Sequence, residues 1–149
     1  MSNGSDEGLL FGDTGESSRG RGDEALIVAY QSTGRTLDDL PYTEEFARLY
    51  RSLPKGSGSE REVFHRLHNL RKAGKLPKLG KPATHPPRIN PEEEESLRAQ
   101  VVAAVGSLGQ RDRLPYTPEM DALVEAFNAR TGRALDRHSV WRLVAKLAK

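Results

Sequence analysis

Leu40-Pro41-Tyr42-Thr43 recurs as Leu114-Pro115-Tyr116-Thr117, 74 residues further on. Self-similarity at a fixed period is the signal to settle before any secondary structure is assigned. Extended upstream at the same offset, Ala25, Val28 and Ala29 meet Ala99, Val102 and Ala103. Downstream, Glu45 meets Glu119, Phe46 meets Met120 and Leu49 meets Leu123. After three extra residues in the second copy, Val63-Phe64 meets Val140-Trp141, Leu70 meets Leu147 and Lys72 meets Lys149. Ordered matches over this distance point to duplication. The expected organisation is a tail over 1–22, a first unit over 23–80, a Pro-rich linker over 81–90 and a second unit over 91–149.

Each copy reads as three helices, so the expected fold class is all-α. The first helix of copy one is expected over 24–32, with Asp23 as cap and Gly34 past its end. Its apolar run, ALIVAY, has the period of a buried strand as much as of a helix. Copy two resolves the choice. There Asn90 stands as N-cap, Pro91 follows at the first helical position, and Glu92–Glu95 fill the first turn. The second helices start at Thr43 and Thr117, with apolar stripes Phe46, Leu49, Tyr50, Leu53 and Met120, Leu123, Val124, Phe127. Leu and Tyr beside each cap have the arrangement of a hydrophobic staple. In the third helices, Ser59 and Glu62 make a capping box and Asp136 caps the other copy. Val63, Leu67, Leu70 and Val140, Val144, Leu147 are the inward stripes, with Phe64 and Trp141 as core anchors beside them.

Composition limits what such units can do. The chain has 149 residues, 36% apolar and 30% charged, so its cores are small. It has no cysteine, which excludes disulfides, zinc-thiolate sites and thiol nucleophiles. No apolar run is long enough for a bilayer span, and the N-terminus lacks the pattern of a secretory signal. A cytoplasmic location and no membrane partner are the expectation. No phosphate-binding loop, dinucleotide fingerprint or hydrolase motif is present, and small helical units leave little room for a pocket. No enzymatic activity and no cofactor are expected. His65 and His68 have the i, i+3 spacing of a metal pair, but no third ligand is placed and the neighbouring arginines repel a cation.

Charge is uneven. Residues 1–53 carry a net −5, residues 54–88 a net +7, and residues 89–149 balance. The basic stretch contains the third helix of copy one. Opposite its inward stripe lie Arg61, His65, Asn69 and Lys72, with Arg66, His68 and Arg71 on the flanks. The duplicated positions are His138, Arg142, Lys146 and Lys149. Lys75 and Lys78 follow the first of these helices. A basic, hydrogen-bonding row on both third helices is what groove readers use: cations neutralise phosphates, and Arg, Asn and His meet base edges. A DNA partner is therefore expected, through the third helix of each unit. The plain alternative is a solvated helix face, since Lys and Arg are good exposed helix formers. A helical adaptor that binds protein rather than nucleic acid is the rival function.

The run VFHRLHNLRKAGKLPKLG, within residues 59–81, resembles the helix-to-wing junction of helix-turn-helix and winged-helix DNA-binding domains. That resemblance implies a phosphate-facing hairpin near 74–81, for which a Pro-rich linker is the alternative. Copy two stops at Lys149, where such a wing would start. The connections PKGSGS and NARTGRALD are longer or more irregular than the turn of a strict helix-turn-helix. The first 22 residues are Gly-, Ser- and acid-rich and are expected to be disordered. Their Leu9-Leu10-Phe11 is a docking motif or a stray apolar cluster.

Overall fold

Thr43 and Thr117 each turn a chain entering from an extended conformation into a helix. Each hydroxyl accepts from the amide three residues on, Phe46 or Met120, at 3.1 and 3.2 Å. Each also donates to the carbonyl of the motif leucine, Leu40 or Leu114, at 2.6 Å. The helices so started are α2 (Glu44–Ser52) and α5 (Pro118–Thr131). The computed structural model describes the backbone of residues 14–149 and the side chains of residues 22–149. Before α2 runs α1 (Thr14–Thr33), and after it α3 (Glu60–Lys72). Before α5 runs α4 (Pro91–Val105), and after it α6 (Arg137–Leu147). Two 3₁₀ turns, Leu37–Asp39 and Leu108–Arg113, lead into the two LPYT motifs. The described residues are all helix, turn and irregular chain, with no strand. None of their helices is long and apolar enough to cross a membrane.

The local signals act as their chemistry requires. Ser59 and Glu62 form the expected reciprocal cap on α3, and Asp136 caps α6 through Ser139 N–H at 2.8 Å. Asn90 caps α4 and Glu93 returns to the Asn90 amide, a second capping box. Beyond α3, Gly74 takes φ 74°, and the Lys75 amide reaches back to the Leu70 carbonyl at 2.9 Å. Glycine adopts this left-handed turn without the Cβ penalty of other residues. Residues 74–81, where the winged-helix resemblance implies a hairpin, contain no strand.

Two departures from the sequence reading concern the first helices. Helix α1 begins at Thr14 rather than 24, so its backbone enters the stretch expected to be a tail; residues 1–13, with Leu9-Leu10-Phe11, lie outside the described residues. The upstream matches at offset 74 are also out of step with burial. Leu26 and Tyr30 are the buried positions of α1, and Leu97 and Val101 those of α4, an offset of 71. Val28 and Val102, matched at 74, are both exposed. The longer second 3₁₀ turn takes up the difference, and Ala and Val recur too often on such helices for three matches to fix a register.

At the motif itself the two halves lock together. Tyr42 and Tyr116 both hold φ near +65°, a left-handed backbone that is costly for an aromatic residue. The Tyr42 amide donates to the Tyr116 hydroxyl at 2.6 Å, and the Tyr116 amide donates to the Tyr42 hydroxyl at 2.6 Å. The ring centroids are 4.6 Å apart, and Phe46 stacks on Tyr116 at 4.9 Å. Burial pushes both phenols above their ordinary range, which keeps the hydroxyls protonated. Tyr116→Phe should leave the Tyr42 amide without its acceptor and cost about 1–3 kcal/mol in urea unfolding. Tyr42→Phe should cost the same by symmetry. A loss near zero would show that water or another group replaces the hydroxyl.

Helix α3 packs on the second 3₁₀ turn, and α6 packs on both. Trp141 and Phe64 meet edge to face at 5.6 Å, and Phe64 meets Phe46 at 6.5 Å. The Trp141 indole N–H donates to the Asp38 carbonyl at 2.9 Å. The buried apolar side chains of both halves, from Leu26 to Ala145, form one continuous cluster.

Candidate nucleic-acid interface

On α3 the inward stripe leaves Arg61, His65, Asn69 and Lys72 exposed along one side, as the spacing predicts. Arg66 is partly buried: it donates to the Ser57 carbonyl at 3.3 Å and lies 3.7 Å from the Asp23 carboxylate. Arg71 donates to Asp38 at 3.2 Å. Lys75 and Lys78 continue the exposed cations into the irregular segment beyond. No carboxylate interrupts the chain from Val63 to Lys81.

Two histidines divide here. His65 is 48% exposed, and its Nδ1 meets Asp112 at 2.5 Å. His68, expected on the flank of the solvent face, is instead 3% exposed. Neither of its ring nitrogens has a hydrogen-bond partner, and its Nδ1 is 3.8 Å from Asp112. Burial pushes its pKa down to about 4, against the opposing pull of Asp112. It faces inward because the second 3₁₀ turn packs over that side of α3. Both histidines turn to one carboxylate, and among the described residues no group of three or more His, Asp or Glu could hold a metal ion.

The second row is corrected. Arg142 is not outward but 7% exposed. Its guanidinium donates to the Asp38 carbonyl at 3.3 Å and the Thr84 carbonyl at 3.1 Å, with Nε 3.6 Å from Asp39. His138 is half-buried, with Nδ1 donating to the Pro41 carbonyl at 2.9 Å and Nε2 3.5 Å from Asp39. The physical reason is the packing of α6 against the first 3₁₀ turn, with residues 83–84 laid over it. Only Lys146 and Lys149 of that row stay exposed.

Asp38, Asp39, Asp112, Arg111 and Arg113 complete the site, and the sequence reading missed them. Asp38 joins Arg71 to Lys149, at 3.2 Å from each. Burial pushes its carboxyl up, but Arg71, Lys149 and Arg111 outweigh this and hold it below the ordinary carboxylate range. Asp39, fully buried, is likewise held low: hydrogen bonds from Thr84, Ala83 and Arg35 overcome its burial. A signal for the pair existed, since the repeat is longer than LPYT: Asp38-Asp39-Leu40 matches Asp112-Arg113-Leu114. The result is a cationic face made of α3, the second 3₁₀ turn and the end of α6. Asp38 and Asp112 within it are buried and engaged by internal partners, while Glu60 and Glu62 stand at the start of α3.

Comparison of the chain with protein-family models, curated proteins and solved structures finds no match.

Proposed function

We propose that the chain is a duplicated three-helix unit merged into one body, and that it binds duplex DNA through a single face built on α3. The carrying observation is the uninterrupted basic run of α3 and its extension, exposed at His65, Asn69, Lys72, Lys75 and Lys78 and flanked by Arg113 and Lys149. Exposed Lys and Arg supply phosphate contacts, while Asn69 and His65 are placed on the same side for base edges. Helix α6 contributes only the cations at its end, because His138 and Arg142 of its equivalent row are bonded within the chain. The reading is a helix-turn-helix-like one in one half only, in a cytoplasmic protein.

Titration with duplex DNA at several salt concentrations tests it. The logarithm of affinity should fall linearly with the logarithm of salt, by roughly 0.9 per phosphate neutralised. Lys72→Glu with Lys75→Glu should weaken binding about tenfold or more at ~0.1 M salt. Arg48→Glu, on α2, should leave it nearly unchanged. Absence of binding at low salt ends the proposal.

A second reading has one observation in its favour. Ala25, Val28, Ala29 and Leu49 line a groove of about 750 Å³ between α1 and α2, and Val28 is 62% exposed there. Such a groove suits a helical protein partner.

A further inference from the structure

The face of α6 is covered from within, and the manner of its covering says what the equivalent face of α3 can take. Ala83 N–H donates to one Asp39 carboxylate oxygen at 3.0 Å, and the Thr84 hydroxyl donates to the other. His138 Nε2 lies 3.2 Å from that hydroxyl, and Arg142 donates to the Thr84 carbonyl. A short irregular segment is thus held by its backbone and one side chain, in a seat made of Asp39, His138 and Arg142, with the Asp38 carbonyl behind Arg142.

At the registers of the repeat, Asp38, Asp39, His138 and Arg142 correspond to Asp112, Arg113, Arg61 and His65. Those residues also come together. With Glu62 and Arg66 they line a cleft of about 450 Å³ between α3 and the second 3₁₀ turn. His65 is fixed by Asp112 at its floor, as Arg142 is fixed by the Asp38 carbonyl in the other seat. Arg61 and Arg113 stand exposed at its rim, and among the described residues no loop segment hydrogen-bonds to either.

The chemistry of the two seats is opposite. The covered one has one guanidinium and one carboxylate turned to the segment, Asp39, which accepts an amide N–H and a hydroxyl, while the Asp38 carboxylate is turned to Arg71 and Lys149. The open one has one carboxylate and two guanidiniums at the matching positions. Where Asp39 accepts, Arg113 can only donate. Glu62 keeps its negative charge at the cleft edge, with Oε1 engaged by the Ser59 amide at 2.8 Å, and stands against the guanidiniums of Arg61, Arg66 and Arg113. Arg66 is shared with Asp23, so Arg61, Arg113 and the outer nitrogen of His65 are the groups left to meet a ligand.

We propose that the α3 cleft is a docking site for a short irregular polypeptide segment with an anionic side chain where Thr84 stands in the covered seat. The shape comes from the covered seat and the charge from the exchange of Asp39 for Arg113. The inference rests on the correspondence of the two halves and is independent of DNA binding. A charge-assisted pair to a guanidinium is roughly twice as strong as a neutral hydrogen bond, so the anionic side chain dominates selection.

The test uses the full chain and capped peptides copying residues 82–87, Pro-Ala-Thr-His-Pro-Pro, with threonine, glutamate or phosphothreonine at the third position. Titration followed by nuclear magnetic resonance should shift His65 and the residues around Arg113, and the two acidic peptides should bind about tenfold tighter than the threonine one. Arg113→Asp, at an exposed position that should not disturb folding, should invert that order. Arg61→His with His65→Arg and Arg113→Asp rebuilds the covered seat and should bind the threonine peptide. Equal affinity for all three peptides, no effect of Arg113→Asp, or shifts mapping elsewhere would overturn the proposal. So would inorganic phosphate that displaces the peptide at the same concentration, since that marks an anion site without peptide recognition. A triple variant that binds no peptide refutes the correspondence of the seats. Peptide binding without DNA binding leaves this proposal standing and removes only the nucleic-acid reading; the reverse result removes only this one.

Discussion

Trp141→Ala is expected to destabilise the whole chain by about 3–5 kcal/mol, the range for removing a large buried aromatic. Trp141 is fully buried, packs edge to face on Phe64, and donates to the Asp38 carbonyl. Truncation opens a cavity between the halves and removes a donor, although Arg142 still reaches the same carbonyl. The tryptophan belongs to the C-terminal half and its partners to the N-terminal half. Unfolding followed by circular dichroism should therefore stay a single transition, with the midpoint lowered by roughly 10 °C or more. Two transitions, one of them unmoved, would mean that the halves fold separately and that the shared core carries little energy. Trp141→Phe keeps most of the volume and should cost markedly less.

Acid sensitivity is the second large effect. His68 has a folded-state pKa near 4 and an unfolded-state value near 6.5. Between those values the unfolded chain binds the proton and the folded chain does not, so stability falls as pH drops. The loss begins below about pH 6.5 and is complete near pH 4, where it reaches roughly 3 kcal/mol. The lowered carboxyls of Asp38 and Asp39 act in the same direction further down: their contribution is full above the ordinary carboxylate range and lost as pH falls through their folded values. His68→Leu separates the two. Its nitrogens have no hydrogen-bond partner to lose, so the variant should unfold at nearly the same urea concentration at pH 7 and pH 5. A variant as acid-labile as the parent between these pH values would place the sensitivity elsewhere, with the carboxylates around Arg71 and Arg35 the next groups to test.

The starts of α2 to α6 were legible because they depend on neighbours in sequence: Thr43, Ser59, Asn90, Thr117 and Asp136 each cap the helix they precede, whereas Asp23, read as the cap of α1, lies inside a helix that begins at Thr14. The apolar stripes were legible for the same reason. What lies opposite a stripe is not a local property. His65 and His68 differ by three positions on one helix, yet one is half exposed and the other buried, because a 3₁₀ turn from the other half packs on only one of them. Arg142 and Lys146 differ by one helical turn, with the same outcome. A basic row can be read from spacing; whether it meets solvent or another part of the chain depends on contacts about 50 to 100 residues away, such as Asp112 to His65 and Asp38 to Arg142. The motif Asp-x-Leu-Pro-Tyr-Thr, which occurs twice, held the missing clue, since a buried aspartate requires a cationic or hydrogen-bonding partner.

The crossed tyrosines carry a consequence for how such a chain can change. Each hydroxyl seats the other residue's strained backbone, so a mutation at either position removes the support of the conformation at the other. The two positions are therefore coupled, whereas the buried positions of α1 and α4 stand three residues out of step with the motif and the two basic rows differ in exposure. Substitution is thereby tolerated less at this junction than at the exposed positions of α3.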